Sequence, residues 1–187
     1  MPRLSPRAFR IALVVFVAIS LVVIFLLLEH AISHRRWPVK TLTDVDRELV
    51  NRAPVDSTVR SLASLPKVPG PLPHDRRIPP HELTVYRVRA RLVAVHKMLD
   101  GDLHVLIEDP DDEKARMIVE VPAPSEGETT GLSETYRRTR EALRERGDPG
   151  RLVSVSGVGF FDYTHWQPGA ARNGFELHPV LSVEFLD

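Results

Sequence analysis

The chain contains no cysteine among its 187 residues. Disulfide bonds and thiolate nucleophiles are therefore excluded. The absence of cysteine does not distinguish an oxidising from a reducing compartment. An excess of either charge is also missing, because 25 lysines and arginines match 25 aspartates and glutamates. No global field recruits nucleic acid or anionic lipid, so any such role must depend on local patterning. The sequence carries no Walker, dinucleotide-binding or G-x-S-x-G motif, which leaves hydrolysis by a serine triad unsupported.

Long hydrophobic runs are scarce, and the one that stands out lies near the amino terminus. It starts at Ile11, ends at Leu28 and contains no charged residue. At about 1.5 Å per residue it would measure about 27 Å as a helix, close to the hydrocarbon thickness of a bilayer. A cleaved secretory signal is the alternative, but its apolar region is usually shorter and is followed by small residues. The run predicts an N-terminal transmembrane helix that anchors the protein through residues 1–36.

The predicted anchor would place the protein in the inner or plasma membrane as a single-pass protein. Arginines precede the run and basic residues also follow it, so the positive-inside comparison is nearly balanced. The short leading segment favours an amino terminus inside the cell. The remaining chain would then lie outside the cytoplasm.

Residues 37–81 predict short helices and a linker. Thr43 and Asp56 or Ser57 are candidate caps for two short helical stripes. Six prolines between Pro66 and Pro80 then favour an extended backbone and exclude a regular helix or central strand. These residues predict a spacer that leads into the folded domain.

Residues 82–187 predict a mainly β domain. Alternation of apolar and polar residues indicates strands over residues 83–96, 103–108, 117–121, 152–161 and 175–185. A helix begins near Ser133, between strands three and four, and Gly147 and Pro149 end it. This order predicts a five-stranded OB-like barrel with one helix between strands three and four. A generic α+β sandwich is the alternative.

Three motifs in this domain resemble a known group of sequences. They are D-G-D-x-H beginning at Asp100, G-V-G-F-F-D beginning at Gly157, and N-G-x-E-L-H-P-V beginning at Asn173, with His165 and Gln167 between the last two. Together they resemble an uncharacterised bacterial family of small OB-like domains. The resemblance covers about the second half of the chain and implies no established activity.

The loop between the last two predicted strands combines aromatic and polar side chains. In OB-folds this loop commonly contacts ligands, and aromatic rings with polar neighbours suit a base or a sugar. The alternative is that some of the rings pack in the core and that the polar groups form hydrogen bonds with the loop backbone. The candidate binding residues are Phe161, Asp162, Tyr163, His165, Trp166, Gln167, Arg172 and Asn173.

Two pairs of residues predict a weak metal site. Asp102 with His104, and Glu176 with His178, each stand two residues apart on a strand, so both members point to the same side. Carboxylate and imidazole groups at this spacing can bind one divalent ion. No dense ligand motif such as HExxH supports the site, so the sequence requires no cofactor.

A row of arginines occupies one side of the first predicted strand. Arg87, Arg89 and Arg91 could follow the phosphates of a nucleic acid. The neighbouring strand offers Asp102, His104 and Glu108, and cross-strand ion pairing is the favoured interpretation.

These patterns support three hypotheses about function. The first is a membrane-anchored, noncatalytic binding module for single-stranded nucleic acid or glycan. The second is a metal-dependent hydrolase or nuclease-like enzyme that uses Asp102, His104, Asp162, His165, Glu176 and His178. The third is a structural envelope protein that binds protein partners.

Overall fold

The computed structural model of the protein describes residues 5–33, 35–163 and 168–186. The chain divides into two compact units, Met1–Arg35 and Arg36–Asp187. The second unit begins well before residue 82, so the segment predicted as spacer is part of it. Each unit is described by itself.

The first unit contains a single described element, the helix α1, which covers Pro6–Ser33. A helix that spans a bilayer needs about 20 consecutive, predominantly apolar residues. Among the described residues, no helix combines the length and the apolar character that crossing a membrane requires. This finding contradicts the predicted transmembrane anchor between Ile11 and Leu28, and with it the predicted membrane location and orientation.

The second unit is built on a six-stranded mixed sheet, not on the five-stranded barrel that the sequence predicts. Its strands are β1 (Asn51–Thr58), β2 (Thr84–Lys97), β3 (Leu103–Asp109), β4 (Asp112–Val121), β5 (Leu152–Phe161) and β6 (Phe175–Phe185). The strand order is β1-β2-β3-β4-β6-β5, and β2 also pairs with β5. The pairs β1–β2 and β4–β6 are parallel, and the other pairs are antiparallel.

The sixth strand, β1, lies where the sequence predicts helical stripes. Its sequence NRAPVDST has no apolar alternation, and six of its first seven residues are exposed. It lies at the edge of the sheet and pairs with the first half of β2. A strand in this position buries neither face fully, so hydrophobic periodicity cannot reveal it.

β1 also provides the partner of the first arginine in the predicted row. Arg87 donates to both oxygens of Asp56, at 2.6 and 3.0 Å, and both side chains are exposed. Glu108 pairs with Arg116 of β4 instead. The predicted pairing of the row with Asp102 and His104 is wrong, because both of those side chains are buried.

The predicted bounds of the last two strands are confirmed, because β5 and β6 cover residues 152–161 and 175–185. Apolar residues alternate along both strands, and Val153, Val155, Phe175 and Leu177 pack in the main core cluster. The helix α4 covers Ser133–Arg146 between β4 and β5, also as predicted. It buries Tyr136, Thr139 and Leu143, while its charged face is exposed.

Two short helices complete the unit. The helix α2 covers Trp37–Lys40 and is followed by buried residues that include Leu42. The helix α3 covers Val59–Ala63, and Thr58 caps it by accepting a hydrogen bond from the Ser61 amide. Short 3₁₀ turns occupy Arg47–Leu49, His81–Leu83 and Pro124–Gly127.

Candidate metal centre

Ionisable side chains from three adjacent strands meet on one face of the sheet. Val105, Val119 and Leu177 of β3, β4 and β6 belong to the main core. Because side chains alternate along a strand, the residues next to them point to the opposite face. This face carries Asp102, which directly precedes β3, together with His104, Glu120, Glu176 and His178. These five residues are called the carboxylate–histidine cluster.

The strand register brings the members of the cluster together. His104 stands directly opposite Glu120 in the antiparallel β3–β4 pair. Val119 of β4 is the partner of Leu177 in the parallel β4–β6 pair, which places Glu120 beside Glu176 and His178. The cluster therefore depends on two pairings between segments that are distant in the sequence.

His178 lies at the centre of the cluster, between two carboxylates. Its Nδ1 lies 3.0 Å from Glu120 Oε2, and its Nε2 lies 3.5 Å from Asp102 Oδ2. On the other side of Glu120, Oε1 lies 3.1 Å from His104 Nδ1. One ligand atom from each of Asp102, Glu120 and His178 lies within 4.8 Å of the other two.

The cluster is buried, and several of its polar atoms have no hydrogen-bond partner. His178 and Asp102 are 0% and 1% exposed. The described part of the chain has seven buried side-chain nitrogen or oxygen atoms without a hydrogen-bond partner, and five of them belong to the cluster: Asp102 Oδ2, His104 Nδ1, Glu176 Oε2 and both ring nitrogens of His178. Buried polar groups without partners are rare in folded proteins, and a cation coordinated between these side chains would satisfy the carboxylate and imidazole atoms.

Two further charged groups border the cluster. Lys40 of α2 places its Nζ 3.2 Å from Asp162 Oδ2 and 4.0 Å from Glu120 Oε2. The ammonium also lies 5.5 Å from the centre of the Phe160 ring, which in turn makes an edge contact with the His178 ring. Asp162 lines a small pocket of about 160 Å³ together with Lys67, Leu72 and Tyr163. An open pocket therefore lies next to the Lys40 side of the cluster.

The environment shifts the pKa values of these groups in different directions. Burial alone would raise the pKa of Glu120, but His178, His104 and Lys40 outweigh it and hold the pKa well below its usual value. Burial lowers the pKa of His178, but Glu120 and the contact with Asp102 outweigh this effect and raise it. Burial and the charges of Glu120 and Asp162 raise the pKa of Glu176 well above its usual value. The cluster thus favours an ionised Glu120 beside a neutral Glu176.

Arg140 of α4 holds the backbone segments that carry two of the carboxylates. Its guanidinium donates hydrogen bonds to the Val121 and Pro122 carbonyls, directly after Glu120, and to the Gly101 carbonyl, directly before Asp102. The distances are 2.9, 3.3 and 2.9 Å. Asp102 is fixed further by its Oδ1, which accepts a hydrogen bond from the Ala123 amide. These contacts hold the ends of β3 and β4 in place next to the cluster.

No protein-family model and no curated protein matches the chain. Among solved structures, the chain is similar to a protein from Leishmania major Friedlin that is described provisionally as an aspartyl-tRNA synthetase, with a TM-score of 0.43 and 13% identity. The match covers 73% of this chain and 21% of that one. It is also similar to a tRNA fluorescent labeling enzyme, with a TM-score of 0.32 and 12% identity, over 72% of this chain and 32% of that one. This chain thus spans a third or less of either protein, and similarity at this level carries no argument about function.

The structure brings the four predicted metal-site residues together. Asp102, His104, Glu176 and His178 all belong to the cluster, although they come from two predicted strands about 70 residues apart in the sequence. Asp162 reaches the cluster through Lys40. His165, which the hydrolase hypothesis also includes, lies outside the described residues.

Sequence reasoning missed two residues that the structure adds. Glu120 interrupts the apolar run MIVEV in β4 and is the only acidic residue of that run. A carboxylate within a strand that is buried on both faces indicates a polar partner inside the protein. No comparable pattern marks Lys40, which precedes the cluster residues by more than 60 positions.

Several residues predicted to bind a ligand have structural roles instead of exposed positions. Phe161 is 2% exposed and packs edge-on against Phe175, with ring centres 5.0 Å apart. Asn173 donates hydrogen bonds to the Leu62 and Leu65 carbonyls, and Tyr163 donates one to the Leu72 carbonyl. Arg172 is exposed, while Trp166 and Gln167 lie outside the described residues.

Proposed function

We propose that the unit Arg36–Asp187 binds a divalent metal ion such as zinc and uses it in a hydrolytic reaction. The observation that carries the proposal is the convergence of Asp102, Glu120 and His178 within 4.8 Å. Carboxylate oxygens and imidazole nitrogens are ligands that zinc accepts. His104, which faces the second oxygen of Glu120, is placed to orient that ligand or to join it.

The balance of formal charges supports a divalent ion. Asp102, Glu120 and Asp162 contribute three negative charges, and Lys40 contributes one positive charge. Glu176 adds none, because its raised pKa favours the neutral form. When His104 and His178 are neutral, as imidazole ligands of a metal ion are, two negative charges remain in a region where the side chains are at most 10% exposed. An uncompensated buried charge is costly, and a doubly charged cation would neutralise this one.

The composition of the ligand set supports catalysis over a purely structural role. Structural zinc sites usually have four protein ligands and are rich in cysteine, whereas catalytic sites usually have three protein ligands and a water. This chain has no cysteine, and three ligand atoms converge. A metal-bound water has a lowered pKa and supplies hydroxide at neutral pH. In the net reaction, the water oxygen bonds to the electrophilic atom, the bond to the leaving group breaks, and the leaving group takes the proton.

Metal binding can be tested by loading the purified full chain with zinc and measuring the bound metal after desalting. We expect about one zinc per chain, and we expect Glu120→Gln to lose it because the substitution removes one ligand charge from the buried site. Glu184→Gln is the matched control, since Glu184 lies on β6 with an exposed side chain. Equal zinc content in the two variants would contradict the proposed site.

Hydrolysis can be tested separately with bis(p-nitrophenyl) phosphate, a chromogenic phosphodiester. We expect release of nitrophenolate that depends on added metal, stops with a chelator, and is lost in Glu120→Gln but kept in Glu184→Gln. Zinc binding without turnover of this ester or of a carboxylic ester would leave a metal-binding domain and remove the catalytic part of the proposal.

A further inference from the structure

Lys40 places a buried positive charge beside the carboxylate–histidine cluster. Its side chain is 6% exposed, and its Nζ lies 3.2 Å from Asp162 Oδ2 and 4.0 Å from Glu120 Oε2. Burial alone would lower its pKa, but the carboxylates of Asp162, Glu120 and Glu176 outweigh this effect and raise the pKa. The ammonium therefore stays charged next to the proposed metal ligands.

The ammonium and a bound metal ion would face the same oxygen atom. Glu120 Oε2, which faces the Lys40 ammonium, also lies 3.0 Å from Nδ1 of the proposed ligand His178. A zinc–oxygen bond measures about 2.1 Å, so an ion on this oxygen would lie within about 6 Å of the ammonium. At this distance the repulsion between a single and a double positive charge weakens metal binding about tenfold even at the dielectric constant of water. The effect is larger inside a protein, where the dielectric constant is lower.

The fold prevents Lys40 from moving away from the cluster. Buried ion pairs hold the chain four residues before it and four residues after it. Arg36 pairs with Glu82, and Asp44 pairs with Arg77, both at 2.6 Å and with side chains at most 1% exposed. Each of these pairs balances its own charge. The backbone on both sides of Lys40 is therefore fixed, and its ammonium stays near Glu120 when an ion binds.

We infer, on the basis of the proposed metal binding, that Lys40 is a built-in counter-ion that sets the metal affinity of the site. Its charge compensates Glu120 in the metal-free protein and opposes the ion in the metal-bound protein. The protein can therefore fold without metal, and the ion stays exchangeable with solvent. Metal loading then follows the free metal concentration, in contrast to structural zinc sites that are required for folding. Asp162, which shares the ammonium with Glu120, has the opposite effect on metal affinity.

The experiment measures the zinc affinity of the full chain by competition with a chromophoric chelator of known affinity, with Glu120→Gln as the background. We expect Lys40→Met to bind zinc at least about tenfold more tightly and to lose it more slowly to excess chelator. Asp162→Asn should bind zinc more weakly. The double variant of Lys40 and Asp162 restores the net charge of the unmodified site and should restore its affinity. Lys114→Met, which removes an exposed lysine on β4, is the control and should leave the affinity unchanged.

General damage to the fold would lower the zinc affinity of every variant, so opposite effects of Lys40→Met and Asp162→Asn identify an electrostatic cause. Folding of Lys40→Met only in the presence of zinc would support the inference, because the ion would replace the missing charge beside Glu120. Failure of this variant to fold in saturating zinc would overturn it. Weaker or unchanged zinc binding by the folded variant, or a double variant no tighter than Asp162→Asn, would also overturn it. The proposed function fails separately, if the unmodified chain binds no zinc.

Discussion

The buried ion pair between Arg36 and Glu82 yields the most quantitative prediction. Arg36 donates from Nη1 and Nη2 to the two Glu82 oxygens, at 2.6 and 2.8 Å, and the two side chains are 1% and 0% exposed. The guanidinium also donates to the backbone carbonyls of Phe161, Pro73 and Arg76. This one side chain therefore joins the start of the unit to the proline-rich segment and to the end of β5.

Replacing Arg36 with methionine would leave the Glu82 carboxylate buried without its counter-charge. Its remaining donors would be the amides of Ile78 and Phe161, both at 2.7 Å. Breaking a buried pair in this way costs about 3–5 kcal/mol, a large part of the 5–15 kcal/mol that stabilises a typical domain. We expect the free energy of unfolding of Arg36→Met to fall by this amount.

The assay is urea unfolding of the full chain, followed by far-UV circular dichroism, for Arg36→Met, Glu82→Gln and the double variant. The double variant should lose less than the sum of the single losses, with a coupling energy of about 1–3 kcal/mol. The exposed pair Arg87–Asp56, which has similar geometry, is the control and should shift the urea midpoint far less. A loss below about 1 kcal/mol for Arg36→Met would refute the reasoning.

Three further predictions concern the carboxylate–histidine cluster. Zinc at about 100 times its Kd should stabilise the protein by about 2.7 kcal/mol and raise the Tm by about 5–10 °C, an increase that Glu120→Gln should abolish in a thermal melt. Because the pKa of His178 is raised, its contribution to the stability of the metal-free protein is present below about pH 6.5 and is lost as pH rises through the folded pKa. Zinc binding must displace that proton, so calorimetry should show affinity rising with pH across the same window, and a flat profile would contradict His178 as a ligand. Arg140→Met should weaken zinc binding about 10- to 100-fold. Arg138→Met, on the exposed face of α4, should leave zinc binding unchanged. Equal zinc affinities of the two variants would mean that Arg140 does not position the site.

The strands that form the core could be predicted because the alternation of apolar and polar residues along each strand shows which side is buried. In β2, β5 and β6 every second residue packs against the core, so the pattern is visible within a few neighbouring residues. β1 could not be predicted in this way, because it is held by backbone hydrogen bonds to β2 and carries exposed side chains on both faces. The sequence therefore predicts five strands where the structure has six.

The candidate site divides in a similar way. The pairs Asp102 with His104 and Glu176 with His178 could be recognised, because a spacing of two puts both members on one side of a strand. That the two pairs share one site, with Glu120 between them, follows from the register of β3, β4 and β6. Register depends on pairing between segments that are far apart in the chain, and alternation within a segment does not specify it.

The sequence by itself determined the main strands, the helix α4, and the two acid–histidine pairs, since all of these depend on local spacing. The tertiary structure places Glu120 between the two pairs, brings Lys40 to the border of the cluster and buries Arg36 against Glu82. The physical reason is that a charged group is tolerated inside a protein only with a partner, and the fold determines which distant residue becomes that partner.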